Sequence, residues 1–191
     1  MIRLLTFACS LFLGACASTL PQPASVQPTS ESKAVAVKPA PEEVRQTCYE
    51  GTSTVRLPDG QSVPGGRTLV RRTLQPSQEK IVEEVISFDS RPEVPPKSFV
   101  VDMAVTGSQF KMTERSGAFE GTGSLTGEAW KWSEWASSSR IPNGMVVTSK
   151  DTLRPGGMVA KKVVRGAEGQ VLFELDEEYT TVDCARFKLP E

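Results

Sequence analysis

The sequence predicts an all-β protein, an antiparallel meander that forms a closed or nearly closed barrel of eight to ten strands. Three observations carry that expectation. From residue 49 onward, short strand-like runs alternate with Gly, Pro and Asn turn signals. No long segment shows apolar residues spaced at 3.6. Two cysteines, Cys48 and Cys184, stand at the first and last of these runs, where pairing of the end strands would make them neighbours.

The chain opens with "MIRLLTFACSLFLGA", a single Arg3 before an apolar run from Leu4 to Leu13. The run is too short to span a bilayer and has the length of an export-signal core. Leu13-Gly14-Ala15-Cys16 follows and resembles the bacterial lipobox. That resemblance implies a lipoprotein signal peptide over residues 1–15, cleavage before Cys16, and attachment of acyl chains to Cys16. The competing expectation is ordinary cleavage around Ala15-Cys16-Ala17, which releases a soluble product. Two or three acyl chains would anchor the protein firmly, each buried methylene contributing about 0.8 kcal/mol. Ala17, where an Asp would retain a lipoprotein at the inner membrane, resembles the outer-membrane sorting signal of two-membrane bacteria.

Residues 16–46 comprise that cysteine and a Pro-, Ala- and Ser-rich stretch without aromatics or glycine. Such a segment buries too little apolar area to offset the entropy of ordering, and its prolines favour an extended tether. Residues 47–191 form one domain with a single core. The whole chain carries 22 Lys+Arg against 23 Asp+Glu. This balance leaves no basic excess to hold a phosphate backbone, so no nucleic-acid partner is expected. In the oxidising compartment that export implies, Cys48 and Cys184 are expected to form a disulfide, two free thiols being the alternative.

Turn signals at Pro58-Asp59-Gly60, Pro64-Gly65-Gly66, Gly107-Ser108, Gly127, Asn143-Gly144, Pro155-Gly156-Gly157 and Gly166 to Gly169 divide the domain. The runs between them are 49–56, 67–75, 80–88, 98–106, 109–115, 118–125, 128–139, 145–153, 158–165 and 170–182. A two-residue turn at Gly107-Ser108 sets a register: Thr106 opposite Gln109, Val105 opposite Phe110, Met103 opposite Met112. One face of that hairpin is then apolar and the other polar, as a half-buried sheet requires. Lys161 and Lys162 are expected to face the acidic side of the last strand, Glu174, Asp176 and Glu178. If Cys48 and Cys184 meet across an up-and-down barrel, the strand count is even.

With its meander length, its turn rhythm and "FEGTGSLTGEAWKW", the domain is similar to the calycin type, the lipocalin-like barrels of envelope lipoproteins. The resemblance covers residues 48–184. The Gly-x-Trp signature of lipocalins is absent from the first strand, where "CYEGTS" brings Tyr49 and Gly51. The resemblance implies a barrel interior that holds a small hydrophobic ligand or lipid.

Chemistry is sparse. The chain has no His, which removes the commonest general base, the Ser-His and Cys-His nucleophiles and the usual zinc and copper ligand sets. No catalytic residue, metal or cofactor is expected, and the protein is read as non-enzymatic. Glu83-Glu84 and Glu177-Glu178 point to opposite faces of their strands and are expected on solvated faces and rims. "GTGSLTG" misses the dinucleotide fingerprint. Its Gly121 and Gly123 are expected under an aromatic from the next strand, Trp130 or Trp132.

All three tryptophans lie in "GEAWKWSEWASS". Trp130 and Trp132 share a face on strand parity, and Trp135 takes the other unless a bulge intervenes. They pack a core or line a pocket. Candidate pocket liners are Phe110, Met112, Phe119, Trp130, Trp132 and Phe173. The function expected is a cell-envelope lipoprotein, membrane-bound through its anchor, that binds a small hydrophobic ligand or lipid. The alternative is a solid-packed barrel acting through its surface on an envelope protein partner.

Overall fold

The computed structural model describes residues 43–188. The signal segment, the lipobox with Cys16 and the tether as far as residue 42 lie outside the described residues. Ten strands follow in sequence: β1 (Arg45–Arg56), β2 (Ser62–Gln75), β3 (Lys80–Phe88), β4 (Lys97–Thr106) and β5 (Gln109–Glu114) come first. The ring continues with β6 (Glu120–Thr126), β7 (Glu134–Arg140), β8 (Val146–Arg154), β9 (Gly157–Arg165) and β10 (Val171–Val182). Each strand pairs antiparallel with the next, and β1 pairs with β10 to close the barrel. The ring, its core and its disulfide all fall within these residues.

Closure brings Cys48 opposite Val182, and Cys48 and Cys184 are bonded with their Cα atoms 5.1 Å apart. The even strand count required by that bond is met. The Gly107-Ser108 hairpin has the register set out above, Val105 opposite Phe110 and Met103 opposite Met112. β1 begins at Arg45, two residues inside the expected tether, because Arg45 and Gln46 still pair with Leu74 and Thr73 of β2.

Two local expectations are corrected. Pro64-Gly65-Gly66 is not a turn between strands but lies within β2, at a register shift opposite Thr52–Thr54. The glycines there are needed for close approach, since a Cβ on Gly66 would run into the Phe88 carbonyl. The run 128–139 is not one strand either. Residues 127–133 form a loop, in which Trp130 adopts a left-handed backbone (φ 62), and β7 starts only at Glu134.

Side-chain parity divides the molecule into two cores. Inside, Ile81, Met103, Val105, Leu125, Trp132 and Trp135 pack one end of the barrel. The 127–133 loop closes this end, with Trp132 only 6% exposed and the Arg45 guanidinium donating to the Trp130 carbonyl. Outside, Cys48, Leu69 and Ile86 are covered by Phe187 beyond the short 3-10 turn at Cys184–Arg186. The disulfide thus fastens the chain's end to the outer wall.

Candidate ligand cavity

Beyond the tryptophan plug, the barrel interior is open. A cavity of about 320 Å³ runs from Arg72, Met103 and Trp135 toward the opposite end, where Ser87, Phe119 and Ile141 line it. Its size falls in the range of small-molecule sites. Of the expected liners, Phe110, Met112 and Phe119 are there. Trp130, Trp132 and Phe173 are not among its lining residues. Trp130 and Trp132 belong to the loop that plugs the end, their rings 4.9 Å apart. Phe173 is half-buried beside a register shift at the start of β10.

Trp135 reverses its expected place. Because the loop breaks the parity between Trp132 and β7, Trp135 points inward, 5% exposed, and lines the cavity. Its ring stands edge-on to Trp132 at 6.2 Å and tilted against Phe110 at 6.2 Å. The two glycines of β6 are covered from β5 and not by a tryptophan. Gly123 is the partner of Phe110 and Gly121 of Met112, and a Cβ on Gly123 would collide with the Phe110 ring.

The cavity wall carries a charged band that its alternating strands place inside. Arg72 on β2 stands directly opposite Glu83 on β3, and its Nε donates to Glu83 Oε1 at 2.5 Å. Its guanidinium lies 3.8 Å above the Trp135 ring, and Nη2 is 3.7 Å from Asp151 Oδ2. Asp151 Oδ1 accepts the Ser149 hydroxyl at 2.6 Å. Across the interior, Lys162 Nζ lies 2.6 Å from Glu177 Oε2, which also accepts from the Tyr179 hydroxyl at 3.1 Å. Glu83 and Glu177 therefore are not solvated rim acids; only their neighbours Glu84 and Glu178 face outward. Lys162 likewise leaves Lys161 alone to meet Asp176 on the outer surface, at 3.9 Å.

Burial disfavours the Arg72 charge, but Glu83 and Asp151 outweigh it and raise the pKa. Burial also opposes the Lys162 ammonium, and Glu177, Tyr179 and Asp151 together hold its pKa above the ordinary lysine value. Burial pushes the Tyr179 phenol up; Lys162 opposes this, and Glu177 and Asp151 add to the rise. Each of the three is held in its protonated form. Two buried donors among the described residues, Arg72 Nη1 and Trp135 Nε1, have no partner.

The charged band was readable in outline from register alone. Arg71-Arg72 opposes Glu83-Glu84 across a short turn, and alternation forces one ion pair of the two into the barrel. The Lys162–Glu177 pair is a diagonal, Lys162 standing opposite Leu175 and Glu177 opposite Ala160, and no short motif marks it.

No protein family matches the sequence, and no curated protein is similar to it. Two solved structures of the dehydratase domain of PpsC from Mycobacterium tuberculosis, one in complex with C12:1-CoA, are distantly similar. Each is 10% identical, over 70% of this chain and 75% of that domain, with TM-scores of 0.22 and 0.21. A likeness at that level carries no argument about function.

Proposed function

We propose that this protein is a non-enzymatic, lipid-anchored binding protein of the cell envelope, whose barrel takes up a small, largely apolar ligand. The observation that supports this reading is the 320 Å³ cavity, walled by Val70, Val85, Phe99, Val101 and Phe110 and crossed by the charged band and the serine hydroxyls of β7 and β8. Apolar walls around a short polar band are what small-ligand sites generally offer. A solid-packed barrel working through its surface would have filled that space. The cavity's titratable groups are engaged in pairs, Arg72 with Glu83 and Lys162 with Glu177, which suits anchoring and orientation rather than proton transfer. Acylation of Cys16 would hold the barrel at a membrane, the outer one in a two-membrane bacterium.

Native mass spectrometry of the chain from residue 17 onward, which keeps every described residue, tests the binding function. A co-purifying small molecule lost on denaturation is expected. A clean apo mass, together with unchanged tryptophan fluorescence across a lipid panel, would overturn it.

A further inference from the structure

Each charged residue of the cavity wall has a partner: Arg72 with Glu83 at 2.5 Å, Lys162 with Glu177 at 2.6 Å, and Asp151 with the Ser149 hydroxyl. What the wall leaves over is donors. Arg72 gives Nε to Glu83 and directs Nη2 at the Met158 sulfur, 3.7 Å away. Its Nη1 and the Trp135 Nε1 are buried with no acceptor among the described residues. The two residues that carry them, 4% and 5% exposed, both line the cavity. They form one stacked unit, the guanidinium carbon lying 3.8 Å from the centre of the Trp135 ring. Nη1 is one bond from that carbon and Nε1 is a member of that ring, so one small group at the edge of the stack reaches both. A buried donor without an acceptor is more costly than a made hydrogen bond is favourable, and a guest that brings the acceptor removes that cost.

We propose, resting on the binding function above, that the ligand is an apolar molecule bearing an uncharged carbonyl: a ketone, ester or amide. Its oxygen accepts from Trp135 Nε1 and Arg72 Nη1, one lone pair for each, and its apolar body lies along the Phe110 and Val85 walls. Charge decides against a carboxylate. Two cations, Arg72 and Lys162, already face three carboxylates, Glu83, Asp151 and Glu177. An anionic head would double that excess in an interior of low dielectric. An ammonium head has no lone pair to offer and would leave both donors unmatched. The cavity's 320 Å³ is roughly ten times a water's share of liquid volume, which is room for a guest of this kind.

Acetophenone, isopropenylbenzene and benzoate share one size and shape and differ around a single carbon: a carbonyl oxygen, a methylene in its place, or a carboxylate. Each is titrated calorimetrically into the chain from residue 17 onward and into its Trp135→Phe variant, which keeps an aromatic ring and removes the indole N–H. Acetophenone is expected to bind and to lose about tenfold in affinity in the variant. Isopropenylbenzene, which uses no donor, should change by about twofold at most, and benzoate should bind more weakly than acetophenone. Arg72→Met with Glu83→Leu removes the other donor at unchanged net charge and should repeat the pattern. A cooperative thermal transition establishes that each variant is folded. Acetophenone affinity that falls no further than that of isopropenylbenzene, isopropenylbenzene binding where acetophenone does not, or benzoate binding as tightly as acetophenone would each overturn the uncharged carbonyl and leave the binding function standing. Binding of none of the three would overturn it as well, and the binding function falls with it only if the native mass is also that of the clean apo protein.

Discussion

At the scale of single residues, Arg72 is the most demanding group in the protein. Its side chain is 5% exposed, and the Trp135 ring covers one face. A buried ion pair contributes little net stability, yet removing one partner strands the other. Arg72→Ala is therefore expected to destabilise the barrel by about 3–5 kcal/mol, because Glu83 is left charged without its counterion. The double variant Arg72→Met with Glu83→Leu should recover most of that loss, since an apolar pair of similar volume needs no compensation. Urea unfolding of Arg72→Met, Glu83→Leu and the double measures the coupling; a double variant as unstable as Arg72→Ala would sink the argument. Gly123 makes the complementary case for space. A Cβ there meets both the Phe110 ring and the Ala136 carbonyl, so Gly123→Ala should cost about 1–3 kcal/mol in the same measurement.

At the scale of strands and loops, alternation made most of the barrel legible. The β4–β5 hairpin could be placed residue by residue, because a two-residue turn leaves one register that segregates apolar from polar side chains. What parity could not reach was the stretch after Gly127. A loop of seven residues resets the count, and Trp135 passes from the outer face to the inner one. The charged band was legible only in part: the Arg72–Glu83 pair follows from the β2–β3 register, whereas the Lys162–Glu177 diagonal does not. Glu83 and Glu177 look like surface acids until the whole ring is closed and their neighbours are seen to take the outward positions.

The outer face of β4 carries a clamp of a different kind. Asp102 receives Arg115 at 2.8 Å and Lys80 at 2.9 Å, and the Arg115 hydrogen bonds chiefly hold its pKa at about 2. A folded-state value below the ordinary 3.8 stabilises the protein above that pH, and the contribution fades as pH falls from about 4 to 2. The pair is partly exposed, so solvent screening limits it to about 1 kcal/mol. Asp102→Asn should lose that amount at neutral pH and show a flatter stability profile between pH 4 and 2, measured by urea midpoints. An unchanged slope in that window would count against the clamp.

At the scale of the whole molecule, closure and binding are separable by construction. The seam between β1 and β10 is fastened by Cys48–Cys184, a bond that closes a loop of 136 residues. A loop of that length restricts the unfolded chain by about 4–5 kcal/mol in the chain-entropy account. Cys48 points outward from β1, and its neighbours Leu69, Ile86 and Phe187 form a core on the outer wall, whereas the cavity is lined from the inner face. Replacing both cysteines by alanine should therefore lower the urea midpoint sharply, by several kcal/mol in stability, and leave ligand affinity unchanged at temperatures where the barrel remains folded. Titration and unfolding on the same preparation separate the two effects. If affinity fell in step with stability, the wall that carries the disulfide would also be shaping the cavity, and the division into an outer fastening and an inner site would be wrong.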